Sequence, residues 1–323
     1  MLNLASRMLV IFCISCLAQA ASAQETYPSR AIHIVLGFSA GGGTDLVLRS
    51  IAQKMGEDLG TTVVIENKPG ANANIAAEAV VKSKADGYTL LYNTSSLITS
   101  PALYSNLSYD FRKDLVPIGL AVNVPMVLVA APKTGYQTLK DLIDGAKANP
   151  GTLSYASGGN GNVTHLSAVM FMQAVDISAA HIPYKGETPA LADLAGGHVD
   201  FYMGTAAGVL PFVKAGRIRA LAVASNRRLP ELADVPTFSE VGLPSMVVGS
   251  WSGLMGPVGI PADIVHRLNK SLNDALDAPD LLDTLTAQSA EVKKGNADDY
   301  GRFLEDEAGR WGTLIKNQKI SFN

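Results

Sequence analysis

The sequence predicts an α/β fold of two domains with a cleft between them, on three observations. Short apolar runs alternate with amphipathic segments of helical spacing, the pattern of mostly parallel sheets flanked by helices. One strand-to-helix junction in each half of the chain is rich in glycine. The chain has 323 residues, enough for a large core split between two domains.

Met1 to Ala23 lies outside this pattern. It carries one basic residue, Arg7, then the apolar run "MLVIFCISCLAQA", and closes on Ala21-Ser22-Ala23, the small-x-small signature of secretory cleavage. The run is shorter than the roughly 20 apolar residues of a membrane span. Residues 1–23 therefore read as a signal peptide, with the mature chain starting at Gln24. Lipoprotein processing at Cys16 is the weaker reading, because the apolar stretch before it is short and Cys13 is a poor residue three positions upstream. Both cysteines fall inside the leader, so the mature chain has no disulfide, thiolate metal site or cysteine nucleophile. With Arg7 set aside, 25 basic residues against 29 acidic leave a net charge of −4. No basic or aromatic-basic cluster interrupts that acidity, which excludes nucleic acid as a partner. The five histidines show no metal-ligand spacing, and no metal or cofactor is expected.

"IHIVLG" (Ile32 to Gly37), "TVVIEN" (Thr62 to Asn67) and "YTLLYN" (Tyr88 to Asn93) read as strands. Between the first two, Leu48, Ile51, Ala52, Met55 and Leu59 recur at helical spacing and stop near Gly60. Pro117 to Pro125 leads into a strand at Met126 to Pro132. Thr138 with Asp141 forms a capping box for a helix carrying Leu139, Leu142, Ile143 and Ala146. "TLSYAS" precedes the second Gly-rich loop. "AAHIPY" precedes Thr188-Pro189, an N-cap and first-turn pair, and that helix ends at Gly196-Gly197. "HVDFYMG" and "RIRALAVAS" are further strands.

From about Val247 the pattern changes to "VVGSWSGLMGP", where Trp251 either lines a hinge or fills core. A long helix follows with Ile264, Leu268, Leu272 and Leu276 on one face, then a last helix over 297–317 with Tyr300, Leu304, Trp311 and Ile315 in one stripe. These helices are expected to return to the first domain. The division predicted is residues 24–124 plus 247–323 for one lobe and 125–246 for the other.

"IVLGFSAGGGTD", Ile34 to Asp45, supports two incompatible chemistries. Gly37-Phe38-Ser39-Ala40-Gly41 fits G-x-S-x-G, the elbow that exposes a nucleophilic serine in α/β hydrolases. Ser39 stands on the first strand of the mature chain, however, where an elbow normally follows several strands. Gly41, Gly42 and Gly43 leading through Thr44 and Asp45 into a helix instead leave bare N–H groups at the positive end of its dipole. The stretch lacks the lysine of a phosphate P-loop and the third glycine of a dinucleotide fingerprint, so a carboxylate is the better guess. Asp45 reads either as a first-turn cap or as a partner for a cationic group on a ligand. "SYASGGNGNVTHL" repeats the construction, with Ser157, Gly159, Asn160, Gly161 and Thr164 as candidate contacts. The two loops can face each other across a cleft at strand carboxyl ends. His165 is either a ligand contact or a loop-packing residue, and Tyr184 either reaches the cleft or sits in an exposed turn. No candidate loop supplies Arg or Lys, so negative charge would be met mostly by helix dipoles and N–H donors, with modest salt sensitivity and strong dependence on ligand shape.

Ten segments in order resemble the receptor family of tripartite tricarboxylate transporters, the Bug group of periplasmic solute-binding proteins: "YPSRAIHIVLGFSAGGGTD", "VVIENKPGAN", "DGYTLLYNTSS", "YDFRKDLVPIGL", "AKANPGTLSYASGGNGNVTHL", "HIPYKGETPALADLAGGHVD", "GRIRALAVAS", "LPELADVPTFSEVGLP", "WSGLMGPVGIPADIVHRLN" and "DDYGRFLEDEAGRWGTLI". The resemblance implies a two-lobed periplasmic binding protein, type II-like, each lobe a mostly parallel sheet flanked by helices, with a ligand cleft between lobes. It implies a monomeric, non-enzymatic receptor that holds a small carboxylate through the backbone of Ser39, Ala40, Gly41, Gly42, Gly43 and Thr44 and delivers it to membrane permease subunits. Asn93 and Ser95, the 157–165 loop, and Gly204 and Thr205 are implied as further contacts. The chain departs from the family's usual glycines at Gly70-Ala71-Asn72-Ala73-Asn74 and at Tyr184-Lys185-Gly186-Glu187-Thr188, where Glu187, if it faces the ligand, disfavours a second carboxylate. A secreted serine hydrolase using Ser39 and a sensor feeding a signalling partner are the competing classes.

Overall fold

The computed structural model describes residues 27–317, so the leader read at 1–23, with both cysteines, lies outside the described residues. β1 (Ile32–Leu36) runs through the first Gly-rich loop into α1 (Gly43–Leu59), followed by β2 (Val63–Asn67). The stripe Leu48, Ile51, Ala52, Met55 and Leu59 is buried as its spacing predicts. The helix stops at Gly60, whose φ of 65° favours glycine. After a turn at 71–73 come α2 (Asn74–Val81), β3 (Thr89–Thr94), α3 (Ser96–Leu103) and the short α4 (Phe111–Asp114).

β4 (Leu115–Ala130) is one strand of 16 residues, beginning well before the start expected at Met126. Pro117, which argues against a strand interior, sits at a register shift where a ladder bond is already interrupted. α5 (Leu139–Ala148) has both reciprocal bonds of the Thr138–Asp141 box. β5 (Ser154–Ser157), α6 (Val163–Val175), β6 (Ala180–Pro183) and α7 (Glu187–Ala195) follow. α7 starts at Glu187 with Gly186 as its N-cap, correcting the expectation that Thr188 caps it. The Thr188 hydroxyl is used elsewhere, donating to the Ala40 carbonyl at 2.8 Å.

β7 (Phe201–Thr205) passes directly into α8 (Ala206–Lys214), a helix hidden in the sequence by Gly208 and an internal Pro211, before β8 (Arg219–Val223). β9 (Gly249–Pro257), α9 (Ala262–Asp277), α10 (Pro279–Ala287), β10 (Glu291–Val292) and α11 (Ala297–Asn317) complete the chain.

The strands join in the order β2-β1-β3-β9-β4-β7-β5-β6, with β8 and β10 also paired to β4. Parallel pairing, predicted for most of both sheets, is confined to β1 with β2 and β3, and to β5 with β6 and β7. The pairings of β4 and β9 are antiparallel. β4 exchanges partners along its length: Leu115 to Pro125 pair with β9, and Met126 to Ala130 pair with β7. Apolar side chains fill both faces, as on β1, where Ile34 and Leu36 belong to one core cluster and Val35 to the other. α9 and α10 pack on α1, while α11 packs on α3 and β4.

Trp251 fills core. Its ring meets Tyr300 and Phe303 of α11 edge-on, with centroids 6.4 and 5.1 Å away. Its indole N–H and that of Trp311 both donate to the same buried oxygen, Glu307 Oε2, at 2.8 and 3.0 Å. Glu307→Ala leaves two buried donors unpaired and is expected to cost about 2 kcal/mol, while Glu307→Gln, which keeps an acceptor, recovers most of it. Urea midpoints of the two variants measure the difference; equal midpoints would show that the carboxylate oxygen is not what holds α11 to β9.

Candidate functional site

The β1–α1 loop owes its glycines to geometry. A Cβ on Gly37 would lie 2.2 Å from the Cβ of Ala73, and Gly41 has a φ of 77°. Both glycines of the elbow-like pattern are thus explained without a nucleophile. The apposed turn is strained where glycine is missing: Ala71, Asn72 and Ala73 all have positive φ, at 46°, 54° and 68°. Ser39 Oγ is buried without a hydrogen-bond partner, so no histidine is placed to take its proton.

Gly42 is the N-cap of α1 and supplies no capping side chain, leaving the first N–H groups to other acceptors. Gly41 donates to Asp45 Oδ2 at 2.8 Å. Asp45 is also held by Arg49 at 2.8 Å and by the Asn67 amide at 2.9 Å. Burial opposes its ionised form, but Arg49 and these donors outweigh it and keep its pKa below the ordinary value. It lines the site as a fixed, neutralised element of the loop.

The Gly43 N–H donates to Glu187 Oε2 at 2.8 Å. The same carboxylate accepts from the Thr205 N–H and hydroxyl, both at 2.8 Å, and from Tyr202 Oη at 3.4 Å. Thr205 is in turn the N-cap of α8, accepting from the Gly208 N–H at 3.2 Å. Two helix starts, α1 and α8, therefore converge on one carboxylate without a cation. Glycines make the room: a Cβ on Gly208 would come within 2.1 Å of Glu187 Oε2, and one on Gly204 within 2.9 Å of Oε1. Burial raises the Glu187 pKa, against the pull of its donors.

Beside this carboxylate lies a chamber of about 40 Å³. Of the residues expected from sequence, Ser39, Gly42, Gly43, Thr44, Asp45, Thr164 and Thr205 line it. The N–H groups of Thr44 and Asp45, in the first turn of α1, have no partner within the helix. A wider space of about 240 Å³ shares Phe38 and Gly158 with the chamber and takes in Gly159, Asn160 and Tyr184. Ala40, Gly41, Asn93, Ser95, Ser157, Gly161, His165 and Gly204 line neither.

Asn93 is turned away, its Oδ1 accepting from Tyr300 Oη at 2.9 Å, so its neighbour Thr94 faces the chamber. Of this turn, Thr94 and Ser96 line the chamber, whereas Asn93 and Ser95, the residues expected from sequence, do not. Sequence reasoning also passed over Phe38, Ser96, Asn162, Val163, Tyr202 and Ser250, which line the chamber. The local signal available was the run Thr94-Ser95-Ser96 at a strand-to-helix junction, where a buried hydroxyl, Ser96 Oγ, stands without a partner.

The second Gly-rich loop is not an open cradle like the first, because its own side chains take its N–H groups. Gly158 donates to Thr164 Oγ1 at 2.8 Å, Gly159 to Ser157 Oγ at 3.2 Å, and Gly161 to His165 Nδ1 at 3.1 Å. His165 stacks on His181 with centroids 4.0 Å apart and an interplanar angle of 5°, so it serves the loop. Tyr184 donates to Asp193 at 2.6 Å, a bond that fixes its ring at the rim.

Among the described residues no group of three or more His, Cys, Asp or Glu is placed to hold a metal, and no helix is long and apolar enough to cross a membrane.

Burial lowers the pKa of His165 to about 3, with the His181 ring adding to the shift, and that of His181 to about 4. Both imidazoles are neutral in the fold. Between an unfolded value near about 6.5 and these values the unfolded chain binds more protons, so stability falls as pH drops, by up to about 1.4 kcal/mol per unit per histidine. The melting temperature is expected to decline from pH 6.5 to 4.5, less steeply in His181→Gln; identical slopes in the two proteins would remove the histidine pair as the cause.

Residues 47–320 match the model of the tripartite tricarboxylate transporter family receptor. Among solved structures, the periplasmic binding protein BugD is 35% identical, covers 92% of this chain and 100% of its own, and superposes with a TM-score of 0.88. Rpa4515 of R. palustris, solved with adipate, is 33% identical with a TM-score of 0.89, over 92% of this chain and 100% of its own. MatC from Rhodopseudomonas palustris, solved with bound malate, is 31% identical with a TM-score of 0.84, over 90% of this chain and 100% of its own. The family consists of substrate-binding proteins, which removes the serine-hydrolase reading of Ser39 and accounts for the mixed α/β fold. By that match and those superpositions, the chain belongs to the tripartite tricarboxylate transporter receptor family, the Bug group of periplasmic solute-binding proteins.

Proposed function

We propose that this receptor captures a small carboxylate in the chamber at the start of α1, between two lobes, and passes it to a membrane permease. One observation carries the reading: the site already seats a carboxylate, that of Glu187, on the Gly43 N–H. No Lys, Arg or His lines the chamber, so affinity comes from oriented N–H and hydroxyl donors. The adipate and malate of the two R. palustris structures support the ligand class. Lobes of residues 24–124 plus 247–323 and 125–246 fit the exchange of partners by β4 after Pro125 and the packing of α9, α10 and α11 on the first segment. On that division the Gly43–Glu187 and Ala40–Thr188 bonds cross the cleft, and lobe closure traps the solute. The reading includes periplasmic location with removal of residues 1–23, monomeric action and delivery to permease subunits, supported by family membership and the leader's composition.

Calorimetry on residues 24–323 against small mono- and dicarboxylates, aromatic acids and acidic amino acids is expected to find a ligand with a Kd of roughly micromolar order. A Cβ on Gly43 would meet Thr205 Oγ1 at 2.1 Å, so Gly43→Ala is expected to weaken that ligand by at least about tenfold while circular dichroism stays unchanged. High salt is expected to change affinity little, because no mobile surface charge makes the contact. Silence across the acid panel would overturn the carboxylate reading.

A further inference from the structure

We propose that Glu187 determines specificity: its carboxylate occupies the seat a ligand's second carboxylate would take, so the receptor selects a monocarboxylate with a hydrogen-bond donor at its other polar end. The inference rests on the carboxylate-receptor reading and narrows it to a ligand class.

The seat is complete. Gly43 and Thr205 supply its donors from two helix starts, and the contact distances at Gly204 and Gly208 show that the backbone is shaped closely around the Glu187 oxygens. A ligand carboxylate placed here would have to expel Glu187. One placed beside it would press acceptor oxygens against the Glu187 oxygens, which already accept from Gly43 and Thr205, with no cation lining the chamber to separate them. The other acidic side chain in the lining, Asp45, is also a carboxylate and is already satisfied by Arg49.

One anion can still be met. The N–H groups of Thr44 and Asp45 remain at the start of α1, and Ser96 Oγ, in a side chain 1% exposed, lines the chamber without a partner. An unpaired hydroxyl at that depth is a donor held ready for a group that enters. The polar end that meets Glu187 must then donate, as an amide, amine or hydroxyl does. At about 40 Å³, where a single buried water needs roughly 10–15 Å³, the chamber has room for the two polar ends of a short acid, and a longer body would extend past Phe38 into the wider space.

The test compares diacids with their half-amides, which have the same shape and one charge fewer: malonate with malonamate, succinate with succinamate, and glutarate with glutaramate, by calorimetry on residues 24–323. The wild-type protein is expected to bind the half-amide of the best-fitting length at least about tenfold tighter than its diacid. Glu187→Gln, which keeps the shape and removes the charge, is expected to bring the pair within about threefold, and Glu187→Gly, which empties the seat, to reverse the preference. If the glycine variant does not fold, the glutamine variant decides alone. Equal binding of diacid and half-amide by the wild type, or an unchanged ratio in Glu187→Gln, overturns the role given to Glu187 while leaving the receptor reading intact. No binding of any acid by wild type or variants defeats the receptor reading itself.

Discussion

The site is organised by the need to satisfy a buried carboxylate without a cation. Glu187 lies 144 residues from its donor Gly43, and it is stable at that depth only because two helix starts and a threonine side chain point N–H and O–H groups at it. Much of the surrounding sequence follows from that constraint. Gly43, Gly204 and Gly208 have no side chain because any Cβ would collide with the carboxylate or its donors. Thr205 caps α8 and donates to Glu187 with the same hydroxyl. Helix α7 starts at Glu187 because that position puts the side chain into the cradle, and Thr188 is thereby free to tie the Ala40 carbonyl.

The two Gly-rich loops look alike in sequence and differ in chemistry. In the second, Ser157, Thr164 and His165 satisfy the backbone donors, and the stacked imidazoles of His165 and His181 brace it from behind. It is a finished wall. In the first, Asp45 takes one N–H and Glu187 another, while Thr44 and Asp45 keep theirs for the chamber. On the function proposed for the site, the rigid wall selects ligand shape and the donor-bearing wall selects ligand charge.

β4 connects these walls. Because it pairs with β9 over its first eleven residues and with β7 and β8 over the rest, the strand that leads to Thr205 and the strand that leads to Thr94 and Ser96 are held in one hydrogen-bonded system. Ser250 on β9 and Tyr202 on β7 reach the chamber through the same system. The Trp251–Glu307–Trp311 contact then anchors α11 behind β9, away from the chamber.

Local pattern made most elements legible: the stripe of α1 and its stop at Gly60, the Thr138–Asp141 box, and the stripe of α11 are each set by residues within a turn or two of one another. So was the loop from Ser39 to Thr44 as a donor-bearing helix start, because three glycines before a helix expose N–H groups whatever the rest of the chain does. The length of β4 was hidden, since Pro117 and Pro125 mimic a loop and only the partner strands show that the ladder tolerates them. Helix α8 was hidden by Gly208 and Pro211, and the need for glycine at 208 depends on Glu187. The parity of Asn93 and Thr94 was undecidable, because a strand alternates its side chains but does not say which face holds Tyr300. The run of glycines before α1 is enough to specify a donor cradle at that helix start. That Glu187 sits in it is a property of the folded chain, because the occupancy requires two segments 144 residues apart to close on one another, and no local preference encodes such a meeting.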